Sequence, residues 1–75
     1  MSNQLGNILK ELRLNSNMTQ REIADMLHIT PSAYSYYESG KKEPKIDTLI
    51  LLAEIHKTSL DYLVGRYGHR KEQII

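Results

Sequence analysis

Among the side chains able to do chemistry, this sequence holds three histidines, no cysteine and a scatter of serines. His28, His56 and His69 lie far apart, with neither H-x-x-x-H nor H-E-x-x-H spacing, so no metal site is expected. Ser32, Ser35 and Ser39 have no elbow or lysine motif around them that would make a nucleophile. The four glycines form no phosphate-cradling loop. No catalytic residue, metal or cofactor is therefore expected, and the chain does not read as an enzyme. What remains are groups that bind: Lys41, Lys42 and Lys45, three lysines within five residues, and five tyrosines. A lysine cluster suits a solvated loop as well as an anion contact, and Glu43 within it weakens the second reading.

These groups must be positioned by very little chain. At 75 residues one domain is expected, burying roughly 60% of its unfolded surface, so stability depends on good packing or on association. Without cysteine there is no disulfide or thiolate site, and a reducing, cytoplasmic setting is the simplest expectation. Ten Lys and Arg against nine Asp and Glu leave a net charge of +1, which carries no global signal for nucleic acid, membrane or acidic substrate. Met1 to Leu14 has no apolar run of signal-peptide length, and Leu49 to Ile55 falls far short of a membrane span.

The local signals all predict helix. Leu5, Ile8, Leu9 and Leu12 recur at helical spacing and define a first helix over 4–15, with Asn17 as a left-handed stop. Thr19-Gln20-Arg21-Glu22 fits a capping box, so a second helix runs over 20–27 with Ile23, Ala24 and Leu27 inward. Thr30-Pro31 opens a third only three residues later, and Gly40 closes it. A fourth carries Ile46, Leu49, Leu52 and Ala53, with His56 at its edge. A fifth opens at Ser59, carries Leu60, Leu63 and Val64, and stops at Gly65, leaving 66–75 as a short C-terminal tail. Two helices joined by a three-residue turn in an all-α domain are a helix-turn-helix signature.

The run from Leu5 to Val64 resembles the lambda-repressor-like helix-turn-helix domain of phage Cro and CI repressors and bacterial xenobiotic-response-element regulators. The residues that carry the likeness are Leu5-Gly6, Leu12-Arg13, Met18-Thr19-Gln20-Arg21-Glu22-Ile23-Ala24 and Ile29-Thr30. Tyr37-Glu38-Ser39-Gly40-Lys41, Pro44, Leu49, Leu52-Ala53 and Ser59-Leu60-Asp61 follow in order. The resemblance implies a compact five-helix domain over 1–65 that binds double-stranded DNA as a symmetric dimer, with the third helix in the major groove. Repression is the expected outcome, in a prokaryotic or phage setting.

Residue by residue, the resemblance sets Pro31, Ser32, Ser35 and Tyr36 toward bases, while helical spacing turns Tyr34 and Tyr37 inward. This set lacks the Gln, Asn and Arg that read purine edges bidentately, so DNA shape should carry more of the specificity. Pro31 and Tyr36 suit a thymine methyl; Tyr36 suits a phosphate equally well through its hydroxyl. Thr19, Gln20, Arg21, Ser39, Lys41, Lys42 and Lys45 are implied phosphate contacts. Arg13 and Glu38 match a partly buried ion pair between the first and third helices. Two positions depart from the family pattern. His28 replaces a common glycine at a turn that calls for positive φ, and Lys45 replaces a serine-like cap on the fourth helix.

Leu60, Tyr62, Leu63 and Tyr67, with Val64 and Ile74-Ile75, are more apolar surface than one small core needs, and predict a homodimer through this end. That arrangement sets two recognition helices about 34 Å apart. The rival class is an antitoxin or regulator working mainly through a protein partner, for which Tyr36, Tyr62 and Tyr67 would be interface anchors.

Overall fold

The computed structural model describes residues 4–64, in which five helices and no strand occur. They are α1 (Gln4–Asn15), α2 (Gln20–Leu27), α3 (Pro31–Ser39), α4 (Ile46–Ile55) and α5 (Leu60–Leu63). Gly65, the tail, His69 and Tyr67 lie outside the described residues.

Three of the starts, those of α2, α3 and α5, are held by a local donor-acceptor pair. Thr19 Oγ1 accepts the Glu22 amide at 3.1 Å, and Glu22 Oε1 accepts the Thr19 amide at 2.8 Å, closing the capping box of α2. Thr30 Oγ1 accepts the Ala33 amide at 3.1 Å, with Pro31 next in line, where a missing N–H costs nothing. Ser59 Oγ accepts the Tyr62 amide at 3.0 Å and opens α5. Lys45 stands at the cap of α4 and supplies no side-chain bond, so that helix begins without a side-chain cap for its first amides.

The helix ends share another device. Asn17, His28 and Lys57 adopt positive φ of 58°, 60° and 53°. At each, the next residue's amide reaches back five positions: Met18 to Arg13 O (3.1 Å), Ile29 to Ala24 O (3.0 Å), Thr58 to Ala53 O (2.9 Å). This is the Schellman closure, normally given to glycine because a Cβ resists the left-handed region. Asn17 and His28 were expected at such turns; Lys57 was not.

Every helix commits one large side chain wholly to the centre: Leu9, Ile23, Tyr34, Leu52 and Leu63 are each fully buried. Burying a Leu or Ile contributes about 1.5–3 kcal/mol, so these residues tie five short helices into one body. α3 packs on α1 and α2, while α4 packs on α5 and α2. The core therefore grips α3 from its inner side and leaves the opposite side open. The burial of Leu63 corrects one expectation: it belongs to the core and has no surface to offer a second copy. α5 is a single turn, too short for spacing alone to tell its inner face from its outer.

Candidate nucleic-acid interface

The exposed side of α3 follows from its inward one. Tyr34 is fully buried and Tyr37 packs partly against the core, their rings meeting edge-to-face at 6.1 Å. With those two turned in, Pro31, Ser32, Ser35 and Tyr36 line a shallow open groove of about 300 Å³, and Gln20 from the start of α2 forms its other wall. Ser32 and Tyr36 are exposed, Pro31, Ser35 and Gln20 half-buried. The groove is mixed in character: hydroxyls and one amide beside a proline and an aromatic ring.

Behind the groove, α3 is anchored by charge. Arg13 Nε lies 2.7 Å from Glu38 Oε2 and Arg13 Nη2 3.2 Å from Oε1, a two-pronged contact between α1 and α3. Arg13 Nη1 also donates to Met18 O at 3.0 Å, and Gln20 Nε2 donates to Glu38 Oε1 at 3.0 Å. Glu38 thus joins three helices, with only 5% of its side chain exposed against 11% for Arg13. Burial pushes the Glu38 carboxyl up, but hydrogen bonds led by Arg13 outweigh it and hold the group below the usual carboxylate range. The bond to Glu38 raises Arg13 above its ordinary value. Burial, then the neighbouring carboxylate, keeps Tyr34 protonated far above the ordinary range, although its hydroxyl meets Glu38 without good hydrogen-bond geometry.

The residues expected at phosphates are dispersed around this groove. Thr19 and Arg21 are exposed at the start of α2, Thr19 with its oxygen already accepting the Glu22 amide. Lys41, Lys42 and Lys45 are exposed beyond the end of α3. Ser39 is committed locally, its hydroxyl donating to Tyr36 O at 3.2 Å and accepting from the Lys41 amide at 3.4 Å. Gln20 has one amide hydrogen engaged by Glu38 and a second left for an anion. Lys41 sits 5.6 Å from the centre of the Tyr36 ring, a pairing no sequence pattern indicated. Among the described residues no His, Asp and Glu gather in groups that would hold a metal, and no helix is long and apolar enough to cross a membrane.

A model of the helix-turn-helix family matches residues 9–63, which takes in the groove, the ion pair and all but the first turns of α1. The chain belongs to the Cro/CI-type helix-turn-helix family. It is 46% identical over 63 residues to the uncharacterized HTH-type transcriptional regulator YqaE of Bacillus subtilis, covering 84% of this chain and 54% of that protein. It is 40% identical over 62 residues to the HTH-type transcriptional regulator ImmR of the same organism, covering 83% and 49%. With the cryptic phage CTXphi transcriptional repressor RstR of Vibrio cholerae it shares 35% identity over 57 residues, 76% and 51% of the two chains. The chain thus spans about half the length of the curated relatives it matches. The P22 c2 repressor, solved with a synthetic operator, has the same lambda-repressor-like fold: TM-score 0.78, 24% identity, 83% of this chain and 94% of that one.

Helix-turn-helix geometry assigns α2 and α3 to the motif, joined through His28–Thr30. Of the surface expected to pair two copies, Leu60 and Tyr62 are half-buried, and Val64 is exposed. Sequence reasoning overlooked the larger apolar exposure on α4, where Ile46, Ile50 and Leu51 are open to solvent at 56%, 44% and 43%. The signal was present: α4 is apolar on more sides than its packing on α5 and α2 can cover.

Proposed function

We propose that this chain binds double-stranded DNA sequence-specifically as a transcriptional regulator, a repressor acting as a homodimer on a palindromic operator. The observation that carries this is the groove on the outer side of α3, with its hydroxyls, amide and aromatic edge, held from behind by the core and the Arg13–Glu38 pair. α3 enters the major groove; Pro31, Ser32, Ser35 and Tyr36 meet base edges, while Thr19, Gln20, Arg21, Lys41, Lys42 and Lys45 meet phosphates, and Ser39 joins them only where its hydroxyl leaves the Tyr36 carbonyl. Support comes from the fold shared with a repressor solved on its operator and from relatives named as transcriptional regulators. Leu60, Tyr62 and Val64 at the α5 end, with Tyr67 beyond the described residues, bring two copies together.

The rival reading, a regulator acting through a protein partner, gains from the exposed Ile46, Ile50 and Leu51. Salt separates the two. Arg21, Lys41, Lys42 and Lys45 each displace counterions on phosphate contact, so log K falls against log salt with a slope of roughly −3.5 per subunit. A slope flatter than about −1, or no duplex binding at low salt, overturns the DNA reading. Selection from a random duplex library returns a palindrome with half-sites one helical turn apart, and a non-palindromic result or a monomeric mass on DNA removes the dimer.

A further inference from the structure

Lys41 follows Tyr36 by five positions, and on a continuous helix residues so spaced lie on different faces, since surface neighbours are three or four apart. Gly40 breaks that rule. Its φ of 84° turns the chain back over the end of α3, which lets the Lys41 ammonium settle 5.6 Å from the Tyr36 ring centre. The turn is pinned on Tyr36 itself, whose carbonyl accepts both the Ser39 hydroxyl at 3.2 Å and the Lys42 amide at 3.3 Å. The Lys41 amide donates to Ser39 Oγ at 3.4 Å and completes the loop. Tyr36 is exposed, yet its backbone and one side of its ring are both held.

Tyr36 also lines the groove, where it and Pro31 are the apolar members beside Gln20, Ser32 and Ser35. In the major groove, bases present one apolar group, the C5 methyl of thymine. Resting on the DNA-binding reading above, we infer that Tyr36 reads a pyrimidine 5-methyl group through its ring, and that Lys41 is a positioning residue which holds the ring for that contact. The attraction between a cation and the face of an aromatic ring supplies the hold. The ring, rather than the hydroxyl, is the recognition element, and Lys41 contributes selectivity in addition to any charge it lends against phosphate.

The test uses the whole chain and a duplex selected by it from a random library, resynthesised with deoxyuridine replacing thymidine one position at a time. Uracil keeps every hydrogen-bonding edge of thymine and lacks only the methyl. At one position in each half-site the substitution weakens binding about fourfold, which corresponds to ~0.8 kcal/mol for one buried methyl. Y36A brings the thymine-to-uracil ratio to one, while Y36F preserves it. K41Q lowers the ratio toward one and K41R, whose guanidinium also stacks on rings, restores it. Thermal unfolding of each variant checks that the fold is kept.

Three results overturn the inference while leaving DNA binding intact. K41Q could weaken thymine and uracil duplexes equally, which makes Lys41 a phosphate contact only. Y36F could lose the discrimination, which hands the role to the hydroxyl. The third is a duplex in which no position responds to methyl removal. Failure of the chain to select any duplex overturns the DNA-binding reading and this inference together.

Discussion

Arg13→Ala removes the partner of a carboxylate that has almost no water around it. Glu38 has 5% of its side chain exposed, and Arg13→Ala takes away its cationic partner while leaving Gln20, Tyr34 and the buried setting in place. Breaking a buried pair from one side costs about 3–5 kcal/mol, and the partial exposure of Arg13 places this case near 3. For a domain of this size total stability is roughly 4–11 kcal/mol, so the loss is a large fraction of the whole. At about 4–8 °C per kcal/mol the melting temperature drops by some 12–24 °C. Glu38→Ala costs less, because the orphaned Arg13 is closer to solvent and retains the Met18 carbonyl. The pH profile gives the cause a signature. In the wild type, Glu38 is held below its ordinary value, so its stabilisation is present above the unfolded pKa, near 4.3, and is lost as pH falls through the folded one. In Arg13→Ala, burial dominates and lifts the same carboxyl above the unfolded value, so acid protonates it in the native state and relieves the penalty. The two stability curves therefore converge toward acid pH. Urea unfolding of both single variants and the double variant, from pH 7 down to 4, measures the coupling directly. A cost for Arg13→Ala below about 1 kcal/mol at pH 7, or a gap that stays constant with pH, refutes the reasoning.

His56 closes α4 with its Nε2 buried and without a hydrogen-bond partner among the described residues, and burial lowers its pKa below the usual 6.5. Its contribution to stability is therefore present above pH 6.5 and lost as pH falls through the depressed value; calorimetry should show that this part of the slope vanishes in His56→Leu. Lys45→Ser gives α4 the side-chain cap it lacks and raises stability by about 1 kcal/mol. On the proposed DNA reading, the same change lowers affinity and flattens the salt slope by about 1. Paired unfolding and binding titrations would separate the two effects, and no gain in stability would reject the capping argument.

The helices were legible because their ends are decided by chemistry a few residues wide. Thr19 with Glu22, Thr30 with Pro31, and Ser59 each announce a start, and Gly40 announces a stop, without reference to the rest of the chain. The outer face of α3 followed from the inward spacing of Tyr34 and Tyr37. What stayed hidden depends on chain reversal or on distant approach. Lys41 meets Tyr36 only because Gly40 folds the loop back, and Gln20 meets Glu38 across 18 residues of sequence. Lysine has no local reason to take a left-handed turn, so the Lys57 closure became visible only through the bond from Thr58. Leu63 was misjudged because one helical turn has no periodicity to read, and its burial is set by what surrounds α5.

The placement of Glu38 also bears on how a chain of net charge +1 approaches a polyanion. A carboxylate on α3 in open water would repel the phosphates on either side of the major groove. Folded, it is enclosed and compensated by Arg13, so its field at the groove is largely cancelled. Asp47, Glu54 and Asp61 belong to α4 and α5, outside the motif, where screening over a Debye length of about 8 Å blunts them further. Against Arg21, Lys41, Lys42 and Lys45 stand Glu22, Asp25 and Glu43, so with Glu38 offset by Arg13 the motif and the loop after it together carry only a slight positive excess. Under the proposed reading, one subunit therefore holds nonspecific DNA weakly, and tight binding requires base and shape contacts repeated by a second copy. A pair of subunits engages the second half-site at the high effective concentration set by the first. Occupancy of a full palindrome then falls far more steeply with dilution than occupancy of a half-site, and weak nonspecific affinity works in favour of selectivity.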